Sequence, residues 1–222
     1  AENHEVIMSI RNMREHMPAE EAKGIDLDIM KGEILGIGGL AGHGKLGIAN
    51  GVIGLYPAAG DITFKGKELK LGDTRSILKD GIAFVSEDRK GVGLLLDVSI
   101  EENISATAMQ IKDKFLKKIG IRLADNKAIR ENAEKYIQSL DIRCTGPKQF
   151  TRRLSGGNQQ KVCIARALTL EPDLLFVSEP TRGIDIGAKK IVLDTLVELS
   201  KEQGMTVVMT SSELNELRMV CD

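Results

Sequence analysis

Short apolar runs and longer amphipathic stretches alternate along the chain. EVIMSI (5–10) and GIDLDIM (24–30) read as short strands, and KGEILGIGG (31–39) reads as a strand that runs into glycines. KLGIANGVIGL (45–55) then has the character of a helix start, GDITFKGKEL (60–69) is strand-like between glycines, and DGIAFVSE (80–87) is a strand with apolar Ile82, Phe84 and Val85. From about Ser99 to Leu140 the pattern turns helical, with Ile129, Ala133, Tyr136, Ile137 and Leu140 at three- and four-residue steps, as on one buried helix face. The basic stretch IKDKFLKKIGIR (111–122) reads either as solvated surface or as a patch that faces a partner. LSGGNQQKVCIARAL (154–168) predicts a helix, DLLFV (173–177) a buried strand, IGAKKIVLDTLVELSKEQG (186–204) a helix stopped by Gly204, and MTVVMT (205–210) a second buried strand. Strands alternating with helices predict an α/β core on a parallel sheet with a helical insert near the middle.

Composition narrows the class. With 222 residues, 42% hydrophobic and 28% charged, the chain suits one large domain or a core with an inserted subdomain. The 31 basic and 32 acidic residues give a net charge of −1, which argues against nucleic acid or an anionic membrane as the main partner. Cys144, Cys163 and Cys221 show no CxxC spacing and read as free thiols. His4, His16 and His43 are too few and too scattered for a histidine metal cluster. Charged residues interrupt every apolar run well short of the ~18 residues a spanning helix needs, so a membrane role is expected to go through a partner. The sequence starts at Ala1 and stops just after a helical pattern, as a piece of a longer chain would.

The chemistry concentrates in GLAGHGKLG, Gly39–Gly47. A Gly-x-x-Gly-x-Gly-Lys loop between a strand and a helix can wrap phosphates with its backbone N–H groups while the lysine reaches the terminal phosphates. Gly39, Gly42, Gly44 and Lys45 fit that scheme; taken alone, they also fit a glycine-rich turn before a helix. The companions decide between the two. LSGGNQQK heads a helix; about twenty residues on, PDLLFVSEPTRGID (172–185) gives an apolar strand that ends in Ser178-Glu179-Pro180; then comes MTVVMTSSEL.

This order resembles the nucleotide-binding domain of ATP-binding-cassette proteins over essentially the whole chain. SEDRKGVGL (86–94), LSGGNQQK, EPTRGID and SSEL together resemble the C-terminal cassette of the double-length ATPases that power bacterial uptake of simple sugars such as ribose and galactose; a nucleoside-importing branch shares much of the pattern. The resemblance implies an ABC-type P-loop fold: a RecA-like parallel sheet core, N-terminal antiparallel strands and an inserted helical subdomain. The expected division is 1–91 and 164–222 for the α/β core and 92–163 for the helical part with the signature motif. It further implies ATP with Mg2+ at Gly39, Gly42, His43, Gly44, Lys45, Leu46 and Gly47, with Asp185 also near the nucleotide. Glu179 stands at the position of the general base. Ser155, Gly156 and Gly157 would close the nucleotide of a partner cassette, the N-terminal one of the same full-length chain. Membrane permease subunits and, indirectly, a sugar-binding protein are the other implied partners, on the cytoplasmic face of the bacterial membrane.

Several positions depart from the pattern. The Ser or Thr that would follow the loop lysine and hold magnesium is Leu46, and the Asp expected at the end of the apolar strand is Ser178. Leucine offers no oxygen, and serine offers only a neutral one to a hard cation. Glu87 replaces the glutamine that senses the γ-phosphate side, and Ser212 replaces the histidine that braces the hydrolytic water; both are usual for the second sugar cassette. No Phe, Tyr or Trp precedes Tyr56 to stack on adenine, and only His16 lies near the right place. The expectation is a consensus-degenerate cassette with weak nucleotide binding, little magnesium dependence and poor hydrolysis on its own. The other readings are a non-hydrolysing nucleotide-sensing or structural module and a non-transport cassette of the DNA-repair or ribosome-associated kind, which the sugar-type motifs oppose.

Overall fold

The computed structural model describes residues 5–15, 22–38, 58–86, 94–118 and 122–221. Two sheets and a set of helices build the core. The strands are β1 (Val6–Glu15), β2 (Ala22–Met30), β3 (Ile34–Gly38), β4 (Ala58–Phe64), β5 (Lys67–Glu68), β6 (Ile82–Val85), β7 (Leu116–Lys118), β8 (Arg122–Ala124), β9 (Leu174–Ser178) and β10 (Thr206–Ser211). The helices are α1 (Thr74–Lys79), α2 (Ile100–Lys112), α3 (Asn126–Ser139), α4 (Gly156–Leu168), α5 (Ile186–Gln203) and α6 (Leu214–Val220). The order β3-β10-β9-β6 forms a parallel sheet, and β2-β1-β4-β5 forms an antiparallel one. The α/β architecture expected from the sequence is therefore present.

The central strands β9 and β10 are buried on both faces, so they read as continuous apolar runs rather than alternating ones. Leu174, Phe176, Ile82 and Val208 face the antiparallel sheet, where they pack with Met8, Ile10, Met13, Ile29, Ile62 and Phe64. Their neighbours Leu175, Val177, Ala83, Val207 and Met209 face the helices and join Ile100, Ile104, Val162, Ile164, Val192 and Leu196. Fully burying one such side chain contributes about 1.5–3 kcal/mol. The period of two thus assigns each strand residue to one of two cores. On β1, Asn12 takes a positive φ at an irregularity between Ile10 and Met13, and Gly60 of β4 lies against it. A Cβ at Gly60 would stand 2.9 Å from Met13 Cα, so only glycine lets the strands approach there.

The amphipathic face expected after Ser99 is found on α3: Ile129, Ala133 and Tyr136 are buried, as is Leu140 just past its end. The helical reading of 99–140 needs one correction, because β7 and β8 form a small antiparallel hairpin between α2 and α3. The basic stretch is also not merely solvated. Lys112 Nζ donates to Leu170 O (2.7 Å), and Lys114 Nζ donates to Thr169 O (3.0 Å) and to the Glu171 carboxylate (2.7 Å). These cations serve the carbonyls beyond the C-terminal end of α4, where positive charge is favoured. Gly204 ends α5 in the left-handed region at φ +67°, as its position predicted. The helix start read at 45–55 lies outside the described residues.

Candidate functional site

The C-terminal edge of the parallel sheet gathers the chemistry. Gly38, the last residue of β3, is in register with Ser211 of β10, and Thr210 is in register with Ser178, the last residue of β9. In open α/β sheets ligands bind outside the carboxyl ends of the strands, and the glycine loop follows Gly38 at that edge. Gly39, Gly42, His43, Gly44, Lys45, Leu46, Gly47 and Glu87, together with His16, lie outside the described residues.

Glu179 steps off the end of β9 into the left-handed region at φ +45°, a sparsely populated conformation for a residue with a side chain. Its own N–H donates to Thr210 O at 2.8 Å, which extends the ladder by one bond. The carboxylate is 7% exposed at the residue level, and both of its oxygens are engaged: Ser212 N–H donates to Oε1 (2.8 Å) and Ser212 Oγ lies 3.3 Å from Oε2. The structure thus brings together two residues, Glu179 and Ser212, that the sequence placed 33 positions apart. Beside them Ser178 is 2% exposed, and its Oγ has no hydrogen-bond partner among the described residues. A buried hydroxyl without a partner is costly, and one at the carboxyl end of a central strand is available to a ligand atom.

The donor set does not make a strong magnesium site. The Leu46 side chain has no oxygen, Ser178 contributes a neutral hydroxyl, and the carboxylate next to it in the chain, Glu179, is turned onto Ser212. Mg2+ sheds water reluctantly and is usually held through carboxylates together with substrate phosphates.

The signature residues start α4. Ser155 is its N-cap; the Oγ accepts from Asn158 Nδ2 at 2.9 Å and, at a long 3.4 Å, from Asn158 N–H. The residue is exposed, at a helix N-terminus, where an anion is favoured. Gly157 is buried against the start of α5: a Cβ there would lie 2.7 Å from Ala188 Cβ and 3.6 Å from Ile184 Cγ2. Glycine is therefore required by helix packing at this position, whatever it does for a ligand. Asp185 is the N-cap of α5, with Oδ1 accepting from Ala188 N–H at 3.0 Å. Its carboxylate is accounted for by capping.

Two residues that the sequence reading did not single out complete the region. Thr181 Oγ1 lies 2.7 and 2.6 Å from the two carboxylate oxygens of Glu216, and both residues are buried. Burial pushes the Glu216 carboxyl above the usual carboxylate range, against the pull of the Thr181 hydroxyl. The signal was available in the sequence: on α6 Glu216 shares the face of Leu217 and Val220, so its charge sits on an apolar stripe.

The family model described as "ABC transporter" matches residues 22–182, and the chain belongs to that family. Among curated relatives, a ribose import ATP-binding protein of Agrobacterium fabrum is 39% identical over 99% of this chain and 42% of its own length. One of Clostridium perfringens is 38% identical over 91% of this chain and 40% of its own length. The chain therefore spans about two fifths of the relatives it matches. A nucleotide-free ATP-binding cassette from an ABC transporter superposes with a TM-score of 0.80 at 20% identity, covering 98% of this chain and 86% of that one. A dimeric cassette in a post-hydrolysis state with ADP and Pi gives 0.78 at 23% identity, covering 96% and 91%. These two likenesses speak for the fold. ABC cassettes bind ATP, typically with Mg2+.

Proposed function

We propose that this chain is the consensus-degenerate second cassette of a sugar ABC importer. It binds ATP weakly through the glycine loop and Lys45, and it lends Ser155, Gly156 and Gly157 to the ATP site of a partner cassette in the same full-length protein. The observation that carries this reading is the end of β9. The magnesium carboxylate is replaced there by buried Ser178, whose hydroxyl has no partner among the described residues, while the general-base position Glu179 is tethered to Ser212. Without a well-held cation, the charge that builds up on the phosphoryl oxygens is not neutralised, and losing such stabilisation costs orders of magnitude in rate. The signature end of α4, by contrast, is intact and open. The relatives named as ribose import ATP-binding proteins are more than twice as long as this chain, which leaves room for a first cassette and favours sugars over nucleosides.

In this reading the whole chain acts as one cassette, with 1–91 and 164–222 as the α/β core and 92–163 as the helical part. The protein works at the cytoplasmic face of the membrane, against permease subunits that an external sugar-binding protein loads. None of the helices among the described residues is long and apolar enough to cross a membrane. The test is calorimetric ATP binding to this domain, with magnesium and then with EDTA, on the natural sequence and on Leu46→Thr/Ser178→Asp. The expected result is weak binding indifferent to magnesium in the first and magnesium-dependent binding, at least tenfold tighter, in the second. Strong magnesium dependence of the natural sequence, or a normal ATPase rate from the isolated domain, would overturn the proposal.

A further inference from the structure

The segment from Glu179 to Asp185 is a tight turn under conformational load. Glu179 sits at φ +45° and Gly183 at φ +71°, so the turn passes twice through the left-handed region, once with a non-glycine residue. Its internal bonds are few: Arg182 N–H donates to Glu179 O (3.1 Å), and Ile184 N–H to Thr181 O at a long 3.3 Å. A conformation of this kind persists only where surrounding structure over-determines it. Side-chain ties reach it from the sheet edge and from α6. One holds Glu179 itself, from Ser212. The other is Thr181 to Glu216, and it reaches the turn without touching the base.

Glu216 is well placed to act as a fixed point. Its helix α6 lies on the end of β3, and glycines make the seat. A Cβ at Gly38 would lie 2.6 Å from Leu214 Cδ2 and 2.8 Å from Leu217 Cδ1, and one at Gly36 would lie 2.5 Å from Cys221 Sγ. Leu217 and Val220 are buried in that seat, next to Glu216 on the same helix face. On its other side Glu216 Oε1 has Lys189 Nζ of α5 at 3.9 Å, and the same ammonium lies 3.4 Å from Glu213 Oε1. One carboxylate thus joins three pieces: the helix that rides on β3, the first turns of α5, and the turn that leaves the base.

We propose that Glu216 is a positioning residue: through Thr181 it fixes the turn 180–185, and with it the placement of Glu179 and of the α5 start against the partner cassette. The inference rests on the two-cassette reading above. A packing role alone would require bulk at 216; this role requires an acceptor for the Thr181 proton. A glutamine supplies that acceptor through its carbonyl oxygen, and alanine does not. In a pair whose chemistry runs in the partner's site, the tie acts through the turn this cassette presents to that site rather than on nucleotide affinity, so its loss lowers kcat and leaves KM in place.

The experiment uses the full-length protein with its permease and measures ATPase rates and melting temperatures for Glu216→Gln, Glu216→Ala, Thr181→Val, Thr181→Ser and the double variant Glu216→Ala/Thr181→Val. Ser155→Arg is made alongside. The expected pattern is a kcat about tenfold lower for Glu216→Ala and for Thr181→Val, with KM within about twofold and no further loss in the double variant. Glu216→Gln and Thr181→Ser should stay within about threefold of the natural protein because the hydrogen bond survives. Natural kcat in Thr181→Val, or additive losses that follow melting temperature, would overturn the positioning role. Ser155→Arg separates the two ideas: full activity in that variant overturns the two-cassette reading, whereas its inactivity beside an unaffected Thr181→Val overturns only the role of Glu216.

Discussion

Asn103 offers a test of how the signature is held. It is 1% exposed, in the second turn of α2, and its amide is fully used. Oδ1 accepts from Leu95 N–H at 2.9 Å; Nδ2 reaches Leu95 O (2.8 Å), Thr151 Oγ1 (2.8 Å) and Ser99 O (3.3 Å). Thr151 begins the 3-10 turn Thr151–Arg153 that delivers Leu154 and Ser155, and Gln159 Nε2 of α4 closes the network onto Thr151 O and Leu154 O, each at 3.3 Å. Asn103→Ala removes this hub. Leu95 is 62% exposed, so water can take over its two backbone groups at a cost of about 0.5–1 kcal/mol each. Thr151 is 0% exposed and its hydroxyl would lose its donor in the dark, which costs about 1–3 kcal/mol. With part of each group re-paired after relaxation, the loss is about 2–4 kcal/mol, or about 4–16 °C in Tm at roughly 2–4 °C per kcal/mol for a chain of this size. Thermal unfolding followed by circular dichroism reads it directly. ATPase of the full-length protein should fall as well, because the turn before Ser155 loses its anchor. A Tm within about 2 °C of the natural protein would refute the reasoning, since no buried hydroxyl could then have been orphaned.

Two further outcomes follow from the packing and the charges. Gly157→Ala puts a methyl 2.7 Å from Ala188 Cβ and should push α4 off α5; we expect a loss of about 1–3 kcal/mol in urea unfolding, as for other overpacked contacts, and natural stability would show that the helices give way freely. Glu216 responds to pH through its neighbours: burial raises its proton affinity first, Thr181 lowers it, Glu213 raises it and Lys189 lowers it. The folded protein holds that proton more tightly than the unfolded chain does. The stability this lends is complete below the ordinary carboxylate range near pH ~4 and is lost as pH rises through the raised value. Glu216→Gln should flatten the decline across that window in denaturant titrations, and an unchanged slope would show that the carboxyl is not perturbed.

The sheet was legible because burial on both faces leaves no choice of residue. DLLFV and MTVVMT can only be central strands, and the structure makes them β9 and β10 side by side. The helical face on α3 and the glycine stop of α5 were legible for the same reason, since period and backbone conformation each have one physical cause. The β7–β8 hairpin was not. Its strands are three residues each, basic, and without alternation, so neither period can register in them. Lys112 and Lys114 read as surface because a lysine that caps distant carbonyls looks the same in sequence as one in water. The pairing of Glu179 with Ser212, and of Thr181 with Glu216, depends on β9, β10 and α6 converging on one edge, and no local pattern carries that.

The two functions proposed for this cassette are held by separate networks. The signature is fixed from the helical side through Asn103, Thr151 and Gln159. The base position is fixed from the sheet edge through Ser212, Thr181 and Glu216. They meet where Gly157 of α4 packs against Ile184 and Ala188, at the end of the turn and the start of α5. Among the described residues, the Ser178 hydroxyl belongs to neither network. On the reading proposed above, a cassette can lose its metal ligands and keep both the shape of its signature and the turn after Glu179. On that same reading, separate anchoring gives a physical reason for such a cassette to retain an ordered LSGGN end: the described residues that hold the signature are not the ones at the end of β9.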